Sequence, residues 1–82
     1  MIHELKTWPK YFARIFMGEK TFEVRKADRD FQINDILKLI EWDPDKEEYT
    51  GKVILRTVTY VLQGGQFGID PNYVVMSIKH VS

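Results

Sequence analysis

The residues whose types and spacing could do chemistry are three charged side chains that follow a glycine: Lys20, Glu23 and Arg25. Glu23 and Arg25 are two positions apart, so on a β-strand their side chains point to the same face of the sheet. A carboxylate orients a neighbouring guanidinium, and an oriented guanidinium binds planar groups and phosphates. Because Lys20 adds a point charge at the start of the same strand, the sequence predicts a site for a planar or phosphate-bearing ligand.

A tryptophan twelve residues before Lys20 extends this interpretation. The indole of Trp8 can stack on a nucleobase, which contributes about 1–3 kcal/mol when the two rings meet. The alternative is that Glu23 and Arg25 form an exposed ion pair worth about 0–1 kcal/mol, and that Trp8 packs in the core. The spacing of the residues leaves both interpretations open.

Residues for nucleophilic catalysis or metal binding are few. The chain has no cysteine, and its two serines, Ser77 and Ser82, have no neighbouring residues that would activate a hydroxyl. His3 and His80 lie near opposite ends of the chain and could meet only if the terminal strands pair. Without a spaced carboxylate partner they are a weak metal signal, so we expect ordinary histidines at strand edges, no metal and no cofactor.

Two other motifs are better explained by loops. Gly64, Gly65 and Gly68 lack the Lys-Ser/Thr and the strand–helix setting of a phosphate-binding loop, so they predict a flexible connection. The acidic run Asp43–Glu48 lacks the glycine and the closing glutamate of a calcium loop. We therefore expect a solvated hairpin there.

Length and composition exclude several classes of protein. The chain has 82 residues, 44% of them hydrophobic, and predicts one compact domain over residues 1–82. Nothing in it approaches the roughly 20 apolar residues of a membrane span, and its first residues lack the apolar region of a signal peptide. Together with the absence of cysteine, this predicts a cytoplasmic protein with no membrane partner.

The charge is balanced overall but uneven along the chain. Lys and Arg number 12, as do Asp and Glu, so the net charge is zero. Residues 6–29 nevertheless carry seven basic and three acidic groups, whereas residues 30–51 carry two basic and seven acidic groups. A protein that coats a duplex has a basic excess over the whole domain. Any contact with nucleic acid is therefore expected at a local basic face.

One short helix is predicted near the start of the chain. Apolar residues recur at the spacing of a helix face: Trp8, Tyr11, Phe12, Ile15 and Phe16. Thr7 is a candidate N-cap, and Pro9 suits the first turn, where its missing N–H is not needed. Gly18 is a candidate for the left-handed residue that ends the helix.

The remaining chain has the spacing of strands. Phe22 and Val24 are predicted to face one side of a strand, with Thr21, Glu23 and Arg25 on the other. The further predicted strands are Ile36–Trp42, Lys52–Gln63 and Tyr73–Val81, whereas Ile2–Lys6 alternates too weakly for a firm assignment. In the predicted strand Lys52–Gln63, one face is shared by Val58, Tyr60 and Leu62.

Turn residues separate these strands. Asn34 and Asp35 predict a turn, Asp43–Gly51 a hairpin connection, and residues 64–72 an irregular loop that carries Phe67. A small chain of this kind avoids exposed sheet edges by closing into a barrel. We therefore predict a mainly β fold with one or two short helices, an antiparallel barrel that is closed or partly open.

The residues around Gly18 resemble the signature of the ASCH family, in the PUA-like superfamily, which takes its name from activating signal cointegrator. The matching positions are Gly18, Lys20, Phe22, Glu23, Val24 and Arg25. The segments ELKTWPKYF, RKADRDFQINDIL and FGIDPNYVVMSIK are similar to a small bacterial and phage-associated branch of that family. The resemblance implies a PUA-like β-barrel with a cleft between helix and barrel, in which RNA or a nucleotide-like ligand binds.

This resemblance implies roles for particular residues. Lys20 and Arg25 would contact phosphate or a base edge, and Glu23 would hold Arg25 or accept from an exocyclic amine. From their charge and proximity in sequence, Lys6, Lys26 and Arg29 are expected to contact backbone phosphates, beside the stacking residue Trp8. The leading prediction is a binding module for RNA, a nucleoside or a nucleotide, and not an enzyme.

Two alternatives come from other classes of function. Some ASCH relatives hydrolyse acylated nucleosides such as acetylcytidine, and this chain resembles them at Lys20. Their pattern places a threonine nucleophile three residues later, where this chain has Glu23, and Thr21 stands at a different offset. The second alternative is a protein-interaction domain, with the hairpin Asp43–Glu48 or the loop around Phe67 as the contact surface.

Overall fold

The computed structural model describes residues 1–81, in which one α-helix lies against a five-stranded sheet. The elements are β1 (Ile2–Thr7), α1 (Pro9–Phe16), β2 (Phe22–Lys26), β3 (Ile36–Asp43), β4 (Glu48–Gln63) and β5 (Tyr73–His80). This confirms the prediction of a mainly β fold with a short helix. The predicted domain boundary and the assessment of Ser82 as a nucleophile both involve a residue outside the described part of the chain.

The sheet curls into a half-barrel, which confirms the partly open form of the predicted barrel. Its strand order is β1-β3-β4-β5-β2, so β1 and β2 are the two edges. Three of the neighbouring pairs are antiparallel as expected, but β1 and β3 are parallel. A parallel pair needs a long crossover, and here α1 and β2 supply it.

The segment Ile2–Lys6, which the sequence left undecided, belongs to strand β1. Its three inward positions are His3, Leu5 and Thr7, all of them buried. Two of these three side chains are polar, so the hydrophobic alternation that marks a half-buried strand is weak here. The strand is stabilised by its pairing with β3, a contact between segments far apart in the chain.

The core lies between α1 and the concave face of the sheet. Its fully buried side chains are Ile15, Leu37, Leu39, Val58 and Met76. Val74, Met76 and Ile78 are the inward residues of β5, in the predicted alternation. Each large apolar side chain buried in this way contributes about 1.5–3 kcal/mol to folding. The helix is therefore held over the sheet by packing.

The helix buries a narrower face than the apolar spacing predicts. Phe12 and Ile15 are buried, but Trp8 is 49% exposed, Tyr11 41% and Phe16 65%. The helix has only eight residues, and it contacts the sheet mainly through β3. An eight-residue helix on one strand covers a stripe, so the residues on either side of the stripe remain in contact with water.

The two ends of α1 differ in how well they follow the prediction. Gly18 adopts φ +80° and its N–H bonds the Ile15 carbonyl, which confirms it as the left-handed stop. Thr7 is wrong as the N-cap, because the capping position is occupied by Trp8, which makes no side-chain cap. Thr7 is instead the last residue of β1, with its side chain turned inward.

A bulge in β4 puts Tyr60 on the opposite face of the strand from the one predicted. Val58 pairs with Ile78 and Tyr60 pairs with Ser77, so Thr59 is an extra residue on β4. One extra residue reverses the alternation beyond it. Val58 is therefore fully buried, whereas Tyr60 is 59% exposed.

The two histidines do not meet. β1 and β5 are separated in the sheet by β3 and β4, so the terminal strands do not pair. His3 is buried on the inward side of β1, whereas His80 is exposed at the end of β5. Across residues 1–81, no helix combines the length and the hydropathy that crossing a membrane requires.

Candidate functional site

A cleft of about 470 Å³ lies where the end of β1, the start of α1 and strand β2 meet. It is lined by Lys6, Thr7, Trp8, Tyr11, Lys20, Phe22, Glu23, Val24 and Arg25. Five of the seven side chains predicted to bind the ligand are therefore in one cavity. The other two, Lys26 and Arg29, line a neighbouring pocket described below.

The carboxylate of Glu23 is the centre of the charged cluster. Its side chain is only 4% exposed, and each of its oxygens accepts a hydrogen bond from a different cation. Lys20 Nζ donates to Oε1 at 2.8 Å, and Arg25 Nε donates to Oε2 at 2.9 Å. The ammonium, the carboxylate and the guanidinium therefore converge in the cleft, and two cations compensate for the burial of one anion.

Strand β2 turns Glu23 and Arg25 inward, whereas Phe22, Val24 and Lys26 lie on its outward face. Glu23 is buried, while Phe22 and Val24 are 46% and 49% exposed. This orientation is possible because β2 is an edge strand, so its inward face borders the open side of the half-barrel. The side chain of Arg25 is 24% exposed there and the side chain of Lys20 is 19% exposed, so both cations remain accessible to a ligand.

The guanidinium of Arg25 also joins the two sheet edges. Its Nη2 donates to the backbone carbonyl of Lys6 at 2.9 Å and to Thr7 Oγ1 at 3.3 Å, both on β1. Its Nη1 makes no hydrogen bond to any of residues 1–81. Arg25 is therefore held at three points and keeps one nitrogen with two N–H groups for a ligand.

Aromatic rings form another wall of the cleft. The Trp8 and Tyr11 ring centroids are 6.3 Å apart at an interplanar angle of 24°, and both rings are partly exposed. Lys20 Nζ lies 4.8 Å from the Phe22 centroid and 5.9 Å from that of Tyr11. Trp8 does not pack in the core, so the alternative that assigned it there is wrong. The cleft combines flat apolar surface with fixed cationic donors.

Lys26 and Arg29 line a second pocket of about 280 Å³, together with Glu4, Asp28, Leu5, Phe31 and two residues of the cleft, Lys6 and Arg25. The side chains of Lys26 and Arg29 are exposed. Arg29 Nε lies 3.7 Å from Asp28 Oδ1, a loose contact on the surface. The basic residues that the sequence grouped by proximity are thus divided between two adjoining cavities.

Several cleft residues were missed by the sequence analysis. Thr7 was expected to cap the helix, and Tyr11 to lie in the core. Phe22 and Val24 do lie on the opposite face of β2 from Glu23 and Arg25, as predicted, but they also line the cleft, which was not expected. Tyr11 had a detectable signal, because it lies three residues after Trp8 on the same side of a helix. No sequence pattern indicated that Thr7 belongs to the cleft, because its partner Arg25 is 18 positions away in the chain.

A second buried polar cluster, outside the cleft, joins β1 to the turn before β3. Asp35 Oδ2 lies 2.7 Å from His3 Nε2 and accepts from the Gln32 N–H, while Oδ1 accepts from the Met1 amino group. Burial alone would raise the pKa of Asp35, but these bonds outweigh burial and lower the pKa from 3.8 to about 2. The cluster links β1 to the turn before β3. The sequence predicted the turn at Asp35 but gave no indication of its contact with His3.

The residues proposed for alternative functions lie elsewhere. Neither Thr21 nor Ser77 lines the cleft, and the Ser77 hydroxyl is bonded to that of Thr59 at 2.6 Å. Phe67 is 84% exposed in its loop, and Asp43 accepts two backbone N–H groups within the exposed β3–β4 turn. Across residues 1–81, no three His, Cys, Asp or Glu side chains are grouped as metal ligands.

Comparisons with known proteins place the chain in a family. The family described as a domain of unknown function, DUF3850, matches residues 2–78. The chain is also 38% identical over 60 residues to a protein of Escherichia phage P2, named "Uncharacterized 12.9 kDa protein in GpA 3′region". That similarity covers 73% of this chain and 53% of the phage protein. The chain thus spans about half the length of the curated relative that it matches.

Proposed function

This chain belongs to the DUF3850 family, and from the geometry of its cleft we propose that it is a binding module for RNA or for a nucleoside or nucleotide. We also propose that its half-barrel is an ASCH domain of the PUA-like superfamily. The resemblance at Gly18, Lys20, Glu23 and Arg25 supports this assignment, as does the cleft that the last three of these residues line beside the start of α1.

The observation that carries the proposal is the placement of Glu23 between Lys20 and Arg25 beside the rings of Trp8 and Tyr11. A nucleotide has a flat, weakly polar base and a compact anion, and the cleft offers a surface for each. The base stacks on Trp8, and the phosphate accepts from Lys20 and from Nη1 of Arg25, which makes no hydrogen bond within residues 1–81. Stacking contributes about 1–3 kcal/mol per base.

The charge of the cleft limits the class of ligand. Lys6, Lys20 and Arg25 oppose the single carboxylate of Glu23, so the cleft is cationic within a chain of zero net charge. Binding through few phosphate contacts gives a moderate dependence on salt, unlike that of a protein that coats a duplex. The cleft therefore fits a single-stranded segment or a free nucleotide.

The experiment compares ligand binding by the wild type and by the double variant Lys20→Ala with Arg25→Ala. Calorimetry is run with nucleosides, nucleotides and short single-stranded RNA, after circular dichroism has shown that each protein is folded. The control is Lys46→Ala with Lys79→Ala, which removes two exposed lysines outside the cleft. Loss of about tenfold or more in affinity is expected for the cleft variant only. Equal binding by the cleft variant and the wild type would overturn the assignment.

A further inference from the structure

The cleft and the second pocket are separated by two shared cationic residues. Lys6 and Arg25 line both cavities, of about 470 Å³ and about 280 Å³. Trp8 and Tyr11 lie only in the first cavity, whereas Lys26 and Arg29 lie only in the second. The two cavities therefore adjoin at Lys6 and Arg25, and together they are called the groove. A single mononucleotide would not fill both of them.

Both side chains at this boundary are fixed by the protein. Lys6 Nζ lies 4.6 Å from the ring centroid of Trp42 and 5.8 Å from that of Tyr49, so the ammonium rests against aromatic faces of the β3–β4 hairpin. Arg25 Nη2 is bonded to the carbonyl of the same Lys6. Trp42 and Tyr49 line neither cavity, so the cation already in position for a ligand that crosses the boundary is the guanidinium of Arg25. Its fixed position lowers the entropy lost on binding.

The charge of the second pocket is suited to an anion. Its two carboxylates each have a cation nearby: Asp28 is 3.7 Å from Arg29, and Glu4 is 3.7 Å from Lys38. Neither Lys6 nor Lys26 forms an ion pair with any of residues 1–81. The whole groove carries five cationic side chains against three anionic ones.

We propose that the groove binds two successive nucleotides of one strand, with the connecting phosphodiester over Arg25. This inference rests on the proposed function and narrows it. The ligand becomes a single-stranded oligonucleotide, and a free mononucleotide would occupy only part of the groove. The first base stacks at Trp8 in the cleft. The next nucleotide enters the second pocket, where Lys26 and Arg29 contact its backbone.

The test measures how affinity rises with ligand length. Calorimetry or fluorescence anisotropy is run with adenosine, adenosine monophosphate, the dinucleotide ApA, the trinucleotide and the corresponding deoxy-dinucleotide. We expect the wild type to bind ApA about tenfold or more tighter than the monophosphate. The double variant Lys26→Gln with Arg29→Gln should reduce this ratio to near one, whereas the control Lys46→Gln with Lys79→Gln should leave the ratio as it is in the wild type.

The salt dependence of the binding constant gives a second readout, which a purely structural effect of the substitutions would not change. Each phosphate that the variant no longer neutralises should lower the slope of log K against log salt by about 0.7 for a single strand. Tighter binding of the ribose than of the deoxyribose dinucleotide would identify the strand as RNA, and equal binding would identify any single strand as sufficient.

The possible failures separate the two claims. If the monophosphate binds but ApA binds no tighter, the two-nucleotide groove is wrong while the binding function stands. The same conclusion follows if the Lys26 and Arg29 variant keeps the wild-type ratio of affinities. If none of these ligands binds the wild type, the proposed function falls, and this inference falls with it.

Discussion

Arg25 on β2 donates a hydrogen bond to the backbone carbonyl of Lys6 on β1, at 2.9 Å, and so links the two edge strands of the half-barrel. The same guanidinium is bonded to the buried Glu23. Arg25 is therefore both a proposed ligand-binding residue and a link that holds the two edges of the half-barrel together. Affinity and stability are expected to change together when it is altered.

Substituting Arg25→Lys tests this double role. The ammonium keeps the charge but cannot reach Glu23, Lys6 and Thr7 together, because it lacks the planar fork. The free energy of unfolding should fall by about 1–3 kcal/mol, as measured by urea denaturation. The matched control is Arg14→Lys, whose partner Glu19 is exposed, and the expected loss there is below about 0.5 kcal/mol. Equal losses at the two positions would show that Arg25 is only a surface residue.

The variant Glu23→Gln tests whether the buried carboxylate organises the cleft. Its amide keeps the size of the side chain but has one oxygen in place of two charged ones, so Lys20 or Arg25 loses its partner. Unfolding free energy should fall by about 1–3 kcal/mol. Glu19→Gln, in an exposed pair, is the control. Equal losses of stability in the Glu23 and Glu19 variants would contradict this organising role.

The variant Trp8→Ala separates stacking from core packing. Because the indole is 49% exposed, its removal should weaken nucleotide binding by about 1–3 kcal/mol, measured by calorimetry. It should destabilise the fold less than Phe12→Ala, for which about 3–5 kcal/mol is expected. Phe16→Ala, an exposed ring at the opposite end of α1 from Trp8, should leave affinity intact. A loss of affinity equal in the Phe16 and Trp8 variants would exclude specific stacking.

The buried cluster at Asp35 predicts how stability depends on pH. The pKa of Asp35 is about 2 in the folded protein against 3.8 as the ordinary value, so its ionised form is stabilised by folding. This contribution is complete above pH 3.8 and is lost as the pH falls toward 2. The stability difference between wild type and Asp35→Asn should therefore shrink across that interval in denaturant titrations. Asp45→Asn, in the exposed turn, is the control, and a difference independent of pH would refute the linkage.

Incubation with acetylcytidine tests the hydrolase alternative. Three residues after Lys20, the position of the nucleophile in those enzymes, this chain has Glu23, and both oxygens of Glu23 are already hydrogen-bonded. We expect no release of acetate by liquid chromatography. Turnover that disappears in Lys20→Ala would instead make the cleft an active site.

Much of the cleft could be predicted because its central residues are close in sequence. Lys20, Glu23 and Arg25 lie within six residues, and the left-handed Gly18 ends the helix immediately before them. A strand places alternate side chains on one face whatever surrounds it, so local spacing was enough to group Glu23 with Arg25. The same alternation identified the inward residues of β5.

Spacing does not reveal which face of an element becomes covered, and this was decided by tertiary contacts. The inward position of Glu23 follows from β2 being an edge of the half-barrel, and the exposure of Tyr60 follows from the bulge at Thr59. Contacts between distant segments, such as that of His3 with Asp35, have no local signal. The sequence by itself determined which side chains share a strand or a helix. Only the folded chain decided which of them meet across the sheet, because those contacts depend on strand order and register.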